Sequence, residues 1–126
     1  MPRLPKTKTR PAEGPVLTRA AIRAADSLDM TAKTLASVIG VSEATVSRMR
    51  KGEFALEHGS KPFELAVLFL RLFRSLDAIV GGDETAARAW LKNANTALGG
   101  APAEKIRTIP GLIDAIAYLD ARRAPI

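Results

Sequence analysis

Apolar residues recur at three- and four-residue intervals along most of the chain, and the periodic stretches are separated by Gly, Pro, Asp and Thr. The first stretch predicts a helix over Arg19 to Leu28, capped by Thr18, with Ala21, Ile22, Ala25 and Leu28 on one face. Asp29 and Met30 break it. Thr31 is placed to cap a second helix from Ala32 to Ile39, whose apolar face carries Leu35, Ala36 and Ile39 and which Gly40 ends. Ser42 and Glu43 open a third through Arg50, stopped at Gly52. Lys61-Pro62 starts a fourth, because proline suits a first turn where its missing N–H is not needed. It runs to about Val80, and its stretch from Leu65 to Leu70 is apolar on all sides, which predicts a central helix covered by several neighbours or by another chain. A fifth helix, capped by Asp83 and ending before Gly99-Gly100, puts Ala87, Trp90, Leu91, Ala94 and Leu98 on an inner face. After a turn at Pro102, the last helix starts near Pro110 with a stripe of Leu112, Ile113, Ile116 and Leu119. It is followed by Arg122, Arg123 and a tail ending at Ile126, and no internal repeat is present.

The apolar content, 47% of 126 residues, is carried by Ala, Leu, Ile and Val, with only six aromatic residues (Phe54, Phe63, Phe69, Phe73, Trp90, Tyr118). That composition favours packed helices over a β-sandwich, so the expected fold class is all-α. The length fits one ordinary domain or two small ones and excludes a large multi-domain enzyme. With no cysteine, disulfides, thiol chemistry and thiolate metal sites are excluded. Met1 to Pro15 has no apolar run of the secretory kind, and Glu64, Arg71, Arg74 and Asp77 interrupt the apolar stretch Phe63 to Val80. A cytoplasmic protein with no membrane span is expected.

Charge narrows the picture further. The net charge is +6, and Met1 to Ala25 holds six basic residues (Arg3, Lys6, Lys8, Arg10, Arg19, Arg23) against the single acid Glu13. The remainder is close to balanced. A basic arm ahead of a folded domain is a common device for holding nucleic-acid phosphates, and equally a way to keep a tail solvated. Residues 1–16 are therefore read as a flexible basic arm.

The stretch from Leu35 to Met49 carries the most specific signal. Ala36 is small where a neighbouring helix must approach closely, and Gly40 supplies a turn that disfavours a side chain. Val46 and Met49 then point back toward Leu35, Ile39 and Val41. Ala44, Ser47, Arg48 and Lys51 consequently project outward, with Glu43, Thr45 and Arg50 on the flanks. Small residues let such a helix enter the major groove, Arg48 suits a bidentate contact to guanine, and Ser42 or Thr45 can reach phosphates. Thr31 starts a helix whose free N–H groups suit a phosphate. Glu43 is discordant: it repels phosphates, reads a cytosine amine, or serves only at the helix N-terminus. The plainer reading is a helical corner with a polar outer side. Ala36, Gly40 and the surrounding aliphatic set resemble the helix-turn-helix of the Xre/Cro repressor family over about 20 residues, which favours DNA binding.

A second resemblance covers the C-terminal half. Trp90-Leu91, then Asn95, Leu98-Gly99-Gly100, Pro102, Thr108, Gly111 and Leu119 are similar to the toxin-binding domain of the Xre/MbcA/ParS antitoxins. Ala94 stands where that family commonly has proline. The resemblance implies an antitoxin that neutralises a RES-domain toxin, an NAD-consuming enzyme, while repressing its own operon. It further implies toxin contacts at Trp90, Leu98, Pro102, Leu119, Arg122, Arg123 and Ile126. By residue chemistry alone, Trp90 is more simply a core residue, the glycines turn punctuation, and the two arginines solvated.

No catalysis is expected. The single His58 has no second ligand type beside it, the Gly-Gly pairs lack a phosphate-binding pattern, and the carboxylates are scattered, so no cofactor, metal or small-molecule substrate is predicted. The domains expected are a helix-turn-helix over 17–61 and a toxin-binding and dimerisation domain over 62–126. The fourth helix predicts a homodimer through Leu68, Phe69, Leu72 and Phe73, presenting two recognition helices to a palindromic operator. The alternative is a free-standing repressor whose C-terminal helices only dimerise it.

Overall fold

The computed structural model describes residues 13–123, and within them the fold is all-α. Seven helices follow in order among the described residues: α1 Glu13–Ser27, α2 Ala32–Ile39, α3 Glu43–Arg50, α4 Lys61–Val80, α5 Glu84–Lys92, α6 Pro102–Lys105 and α7 Ile109–Arg123. None is long and apolar enough to cross a membrane. The basic residues of 1–12 and Ile126 lie outside the described residues.

Four helices have the bounds or caps expected from the sequence. Thr31, Ser42, Ser60 and Asp83 each cap a helix with a side-chain oxygen accepting a backbone N–H three residues on. The first helix departs from expectation. It begins at Glu13, not Arg19, because Pro15 falls in its first turn, where proline is tolerated. Thr18 is thus inside the helix and buried. Its hydroxyl donates to the Gly14 carbonyl at 2.7 Å and accepts the Leu56 amide at 2.8 Å. Gly14 has no room for a side chain, since a Cβ would strike the Leu56 carbonyl oxygen.

The long helix α4 is the beam of the molecule, packing against α7, α1, α2 and α5. Leu65, Ala66, Phe69, Leu70, Leu72 and Leu76 are all buried along it. The chain's own helices therefore cover most of the all-round apolar stretch and leave Val67 exposed at 45%. Phe69 and Leu72 are each 0% exposed, which removes both from the expected dimer face; Leu68 and Phe73 remain half-buried. The buried side chains from Ala21 to Leu119 form one connected core, so the helix-turn-helix and the C-terminal helices share an interior through α4.

The fifth helix is shorter than its apolar spacing predicts, stopping at Lys92 with Asn93 extended. Asn95 is responsible: its side chain accepts the Leu98 amide at 3.2 Å, and its backbone pairs with Gly100. An Asn that bonds its own neighbouring backbone favours a turn over a helix. Ala94 is consequently exposed and Leu98 only half-buried, neither on the face of α5. On α7 the inward stripe is Leu112, Ala115, Ile116 and Leu119, while Ile113 is 45% exposed. Gly111 lets α6 and the start of α7 approach, since a Cβ there would collide with the Lys105 carbonyl.

Candidate functional site

The corner between α2 and α3 follows from the backbone of Gly40. This residue adopts φ 76°, in the left-handed region that favours glycine, and both its amide and that of Val41 donate to the Ala36 carbonyl, at 2.9 and 3.0 Å. Val46 and Met49 turn inward and are 0% and 3% exposed, with Leu35 and Ile39 fully buried beside them. The opposite side of α3 then faces solvent: Glu43, Ala44, Ser47, Arg48 and the following Lys51 are all exposed.

Several side chains on and beside that face are fixed by local contacts. The Ser42 side chain accepts the Thr45 amide at 3.0 Å, and its hydroxyl donates to Thr45 Oγ1 at 3.0 Å. Arg48 Nη2 donates to the same Thr45 oxygen at 3.1 Å, which lays the guanidinium along the helix surface. Ser42 and Thr45 thus cap α3 and orient Arg48. Thr31 is exposed and does the equivalent for α2, accepting the Thr34 amide at 3.1 Å. Glu43 sits in the first turn of α3, where a carboxylate favours the positive end of the helix dipole. Arg50 is the residue that sequence reasoning left on the flank. It pairs with Asp26 at 2.7 Å and so ties the end of α3 to α1.

The C-terminal half gathers a different set of groups. Trp90 is half-buried and its ring stacks on Tyr118, centroids 6.2 Å apart at 28°. Arg122 extends that stack, its guanidinium carbon 3.7 Å from the Tyr118 ring centre, a cation–π contact. Pro102 and Leu119 are fully buried and shape the core, so neither offers a surface to a partner. Leu98 stands half-buried in the Asn95 turn.

The end of α7 is held by an ionic cluster and is not a free tail. Arg71 pairs with Asp120 at 2.6 Å, Ser75 donates to Asp120 at 2.8 Å, and Arg123 donates to Ser75 at 3.0 Å. The Ser75 hydroxyl, and after it the Arg71 guanidinium, hold the Asp120 carboxyl below its ordinary pKa. Arg122 and Arg123 are therefore docked on their own molecule, by Tyr118 and Ser75. Nothing local in the sequence pairs Arg71 or Ser75 with groups more than 40 positions away, which is why this cluster was not legible there. The two halves are joined by further polar contacts. Arg88 donates to the Ser27 carbonyl at 2.8 Å, and Arg107 donates to Ser37 at 3.4 Å.

Comparison with known families fits this division of labour. The antitoxin Xre-like helix-turn-helix domain matches residues 9–71, and the antitoxin Xre/MbcA/ParS C-terminal toxin-binding domain matches residues 75–124. The chain belongs to the Xre/MbcA/ParS antitoxin family. No curated protein matches it in sequence. The two family matches meet inside α4, between residues 71 and 75, and not in a loop. This antitoxin thus carries its DNA-binding and toxin-binding parts on one continuous helix.

Proposed function

We propose that this antitoxin neutralises a RES-domain toxin that consumes NAD, and that it binds a palindromic operator as a homodimer to repress its own operon in the cytoplasm. The observation that carries the reading is the joining of two matches, a helix-turn-helix and a toxin-binding domain, across one helix. On the DNA side, α3 enters the major groove with Ala44, Ser47, Arg48 and Lys51 toward the bases, while Thr31, Ser42 and Thr45 meet phosphates at the helix starts. Glu43 contributes through a cytosine amine or the helix end. The exposed parts of Leu68 and Phe73 contribute to the dimer.

On the toxin side, the stack of Trp90, Tyr118 and Arg122 supplies an aromatic surface with a cation at its edge. Leu98 and Arg123 lie in the same half, and Ile126, outside the described residues, is included in the proposed toxin contacts. Aromatic residues and arginine are the side chains that most often dominate protein interfaces.

The test is co-expression with the toxin encoded beside it. Cellular NAD is expected to stay at the level of toxin-free cells when the chain is present and to collapse without it. If the chain leaves NAD loss unchanged but still represses its promoter, it is a free-standing repressor whose C-terminal helices serve only to dimerise it.

A further inference from the structure

Around its last two turns, α4 keeps one face in solvent. Arg74, Asp77 and Ala78 are exposed there, as is Gly81 just past the helix end, with Phe73 half-buried at the edge. These positions are three and four residues apart and so share one side of the helix. A Cβ on Gly81 would meet nothing within 4 Å, so the space beyond the helix end is open. Neither the Arg74 guanidinium nor the Asp77 carboxylate has a partner among the described residues. Arg71, on the preceding turn, differs: it is paired with Asp120.

Beside this face an open groove of about 250 Å³ runs between α1 and α4, lined by Ala20, Arg23 and Ala24 of the first and by Leu70, Phe73 and Arg74 of the second. Arg23 is exposed and, like Arg74, has no partner among the described residues. An apolar groove with two cations and no acid in its lining is complementary to an occupant that brings a carboxylate. Phe69 and Leu72 cannot contribute to such a surface, because the chain's own core encloses both.

We infer that this face joins two copies of the chain, with α4 packed antiparallel on α4 across a two-fold axis that passes between Arg74 and Asp77. The inference rests on the reading that the protein is a homodimer, and it names the face on which that dimer forms. A two-fold interface must be self-complementary, because every contact across it is made twice. The exposed ridge meets that condition: Arg74 of one copy faces the partner's Asp77, and Phe73 faces the partner's Ala78. The partner's Asp77 also brings the carboxylate that the groove between Arg23 and Arg74 lacks. The small Ala78 and the bare Gly81 let the two helices approach closely. A second copy is favoured over a toxin segment because an unpaired cation and an unpaired anion lie one turn apart on the same ridge, so that rotation alone matches them.

The experiment is analytical ultracentrifugation of the full chain, without DNA or toxin, over a concentration series that gives the dimer dissociation constant. Arg74→Glu sets carboxylate against carboxylate twice per dimer, and Asp77→Arg sets guanidinium against guanidinium. Each is expected to weaken dimerisation roughly tenfold or more. The R74E/D77R double variant, and an equimolar mixture of the two single variants, put opposite charges back across the axis. Both are expected to recover the dimer, and recovery shows that the single variants are folded. A monomeric wild type overturns the homodimer reading and this inference with it. A dimeric wild type whose single variants dimerise as tightly overturns this face alone and leaves the homodimer standing. Dissociation of the single variants with no recovery in the double variant or the mixture overturns the Arg74–Asp77 pairing. If Arg74→Glu stays dimeric but no longer co-purifies with the co-expressed toxin, the face belongs to the toxin and the second copy is overturned as its occupant.

Discussion

The helix-turn-helix and the C-terminal half of this antitoxin present their polar groups in opposite ways. On α3 the outer face is nearly bare: Ala44, Ser47 and Lys51 stand in solvent, and Arg48 is held by the Thr45 hydroxyl. In the C-terminal half, a cluster of charged groups is spent on the molecule itself. Arg71, Ser75, Asp120 and Arg123 bind one another, and Arg122 lies on Tyr118. A helix that must enter a groove needs small side chains and a reachable arginine. A surface that must meet a folded protein gains from groups already held in place, because less freedom is lost on binding.

The two regions nonetheless share one interior, and the largest predicted effect tests that. Gly111→Ala forces a Cβ into the Lys105 carbonyl and must push the start of α7 away from the end of α6, loosening the C-terminal helices that pack on α4. The expected cost is about 3 kcal/mol of stability, read as a lower midpoint in a urea titration. Since α4 supports both halves, operator binding at 37 °C is expected to fall as well, although the lesion is far from α3. Normal operator binding by a C-terminally unfolded variant would show that the halves are independent domains.

A smaller effect is expected in the ionic cluster at the end of α7. Asp120 has a pKa lowered by Ser75 and Arg71, so its charged form is bound more favourably in the folded state than in the unfolded one. Its contribution to stability is therefore fully present above the ordinary carboxylate pKa and is lost as pH falls below it through the lowered value. Asp120→Asn is expected to reduce stability near neutral pH, with the difference from wild type closing in strong acid. On the helix-turn-helix side, operator affinity of Asp120→Asn at neutral pH should match wild type. Thermal melts between pH 2 and pH 7 check the first expectation. A constant difference in midpoint across that range would mean that the cluster gives no charge-dependent stability.

How much of this was legible in the sequence differs between the same two regions. In the helix-turn-helix, caps, periodicity and Gly40 act within a few residues of one another, so α2 and α3 have the bounds the sequence predicts. The outward position of Arg48 follows from the inward positions of Val46 and Met49. The first helix was misjudged because prolines before Val16 suggested an unstructured stretch, whereas one of them fits a first turn. In the C-terminal half, a single Asn95 side chain ended a helix that its apolar spacing would have continued. The family resemblance located the domain but not the orientation of its residues. Pro102 and Leu119 turned inward, while Tyr118 and Asp120, which no motif marks, carry the visible polar and aromatic contacts. Contacts between stretches far apart in sequence decide those positions, and local pattern does not record them.

On the proposed reading, DNA recognition and toxin neutralisation use separate surfaces on one shared frame. Measuring both activities of Arg48→Ala in the same preparation tests this separation. One bidentate guanine contact is worth about 1 to 3 kcal/mol, so affinity for a duplex taken from the DNA immediately upstream of the chain's own reading frame is expected to fall by roughly 5- to 150-fold. NAD protection against the co-expressed toxin is expected to equal wild type. Undiminished affinity for the upstream duplex, or a parallel loss of NAD protection, would contradict the account.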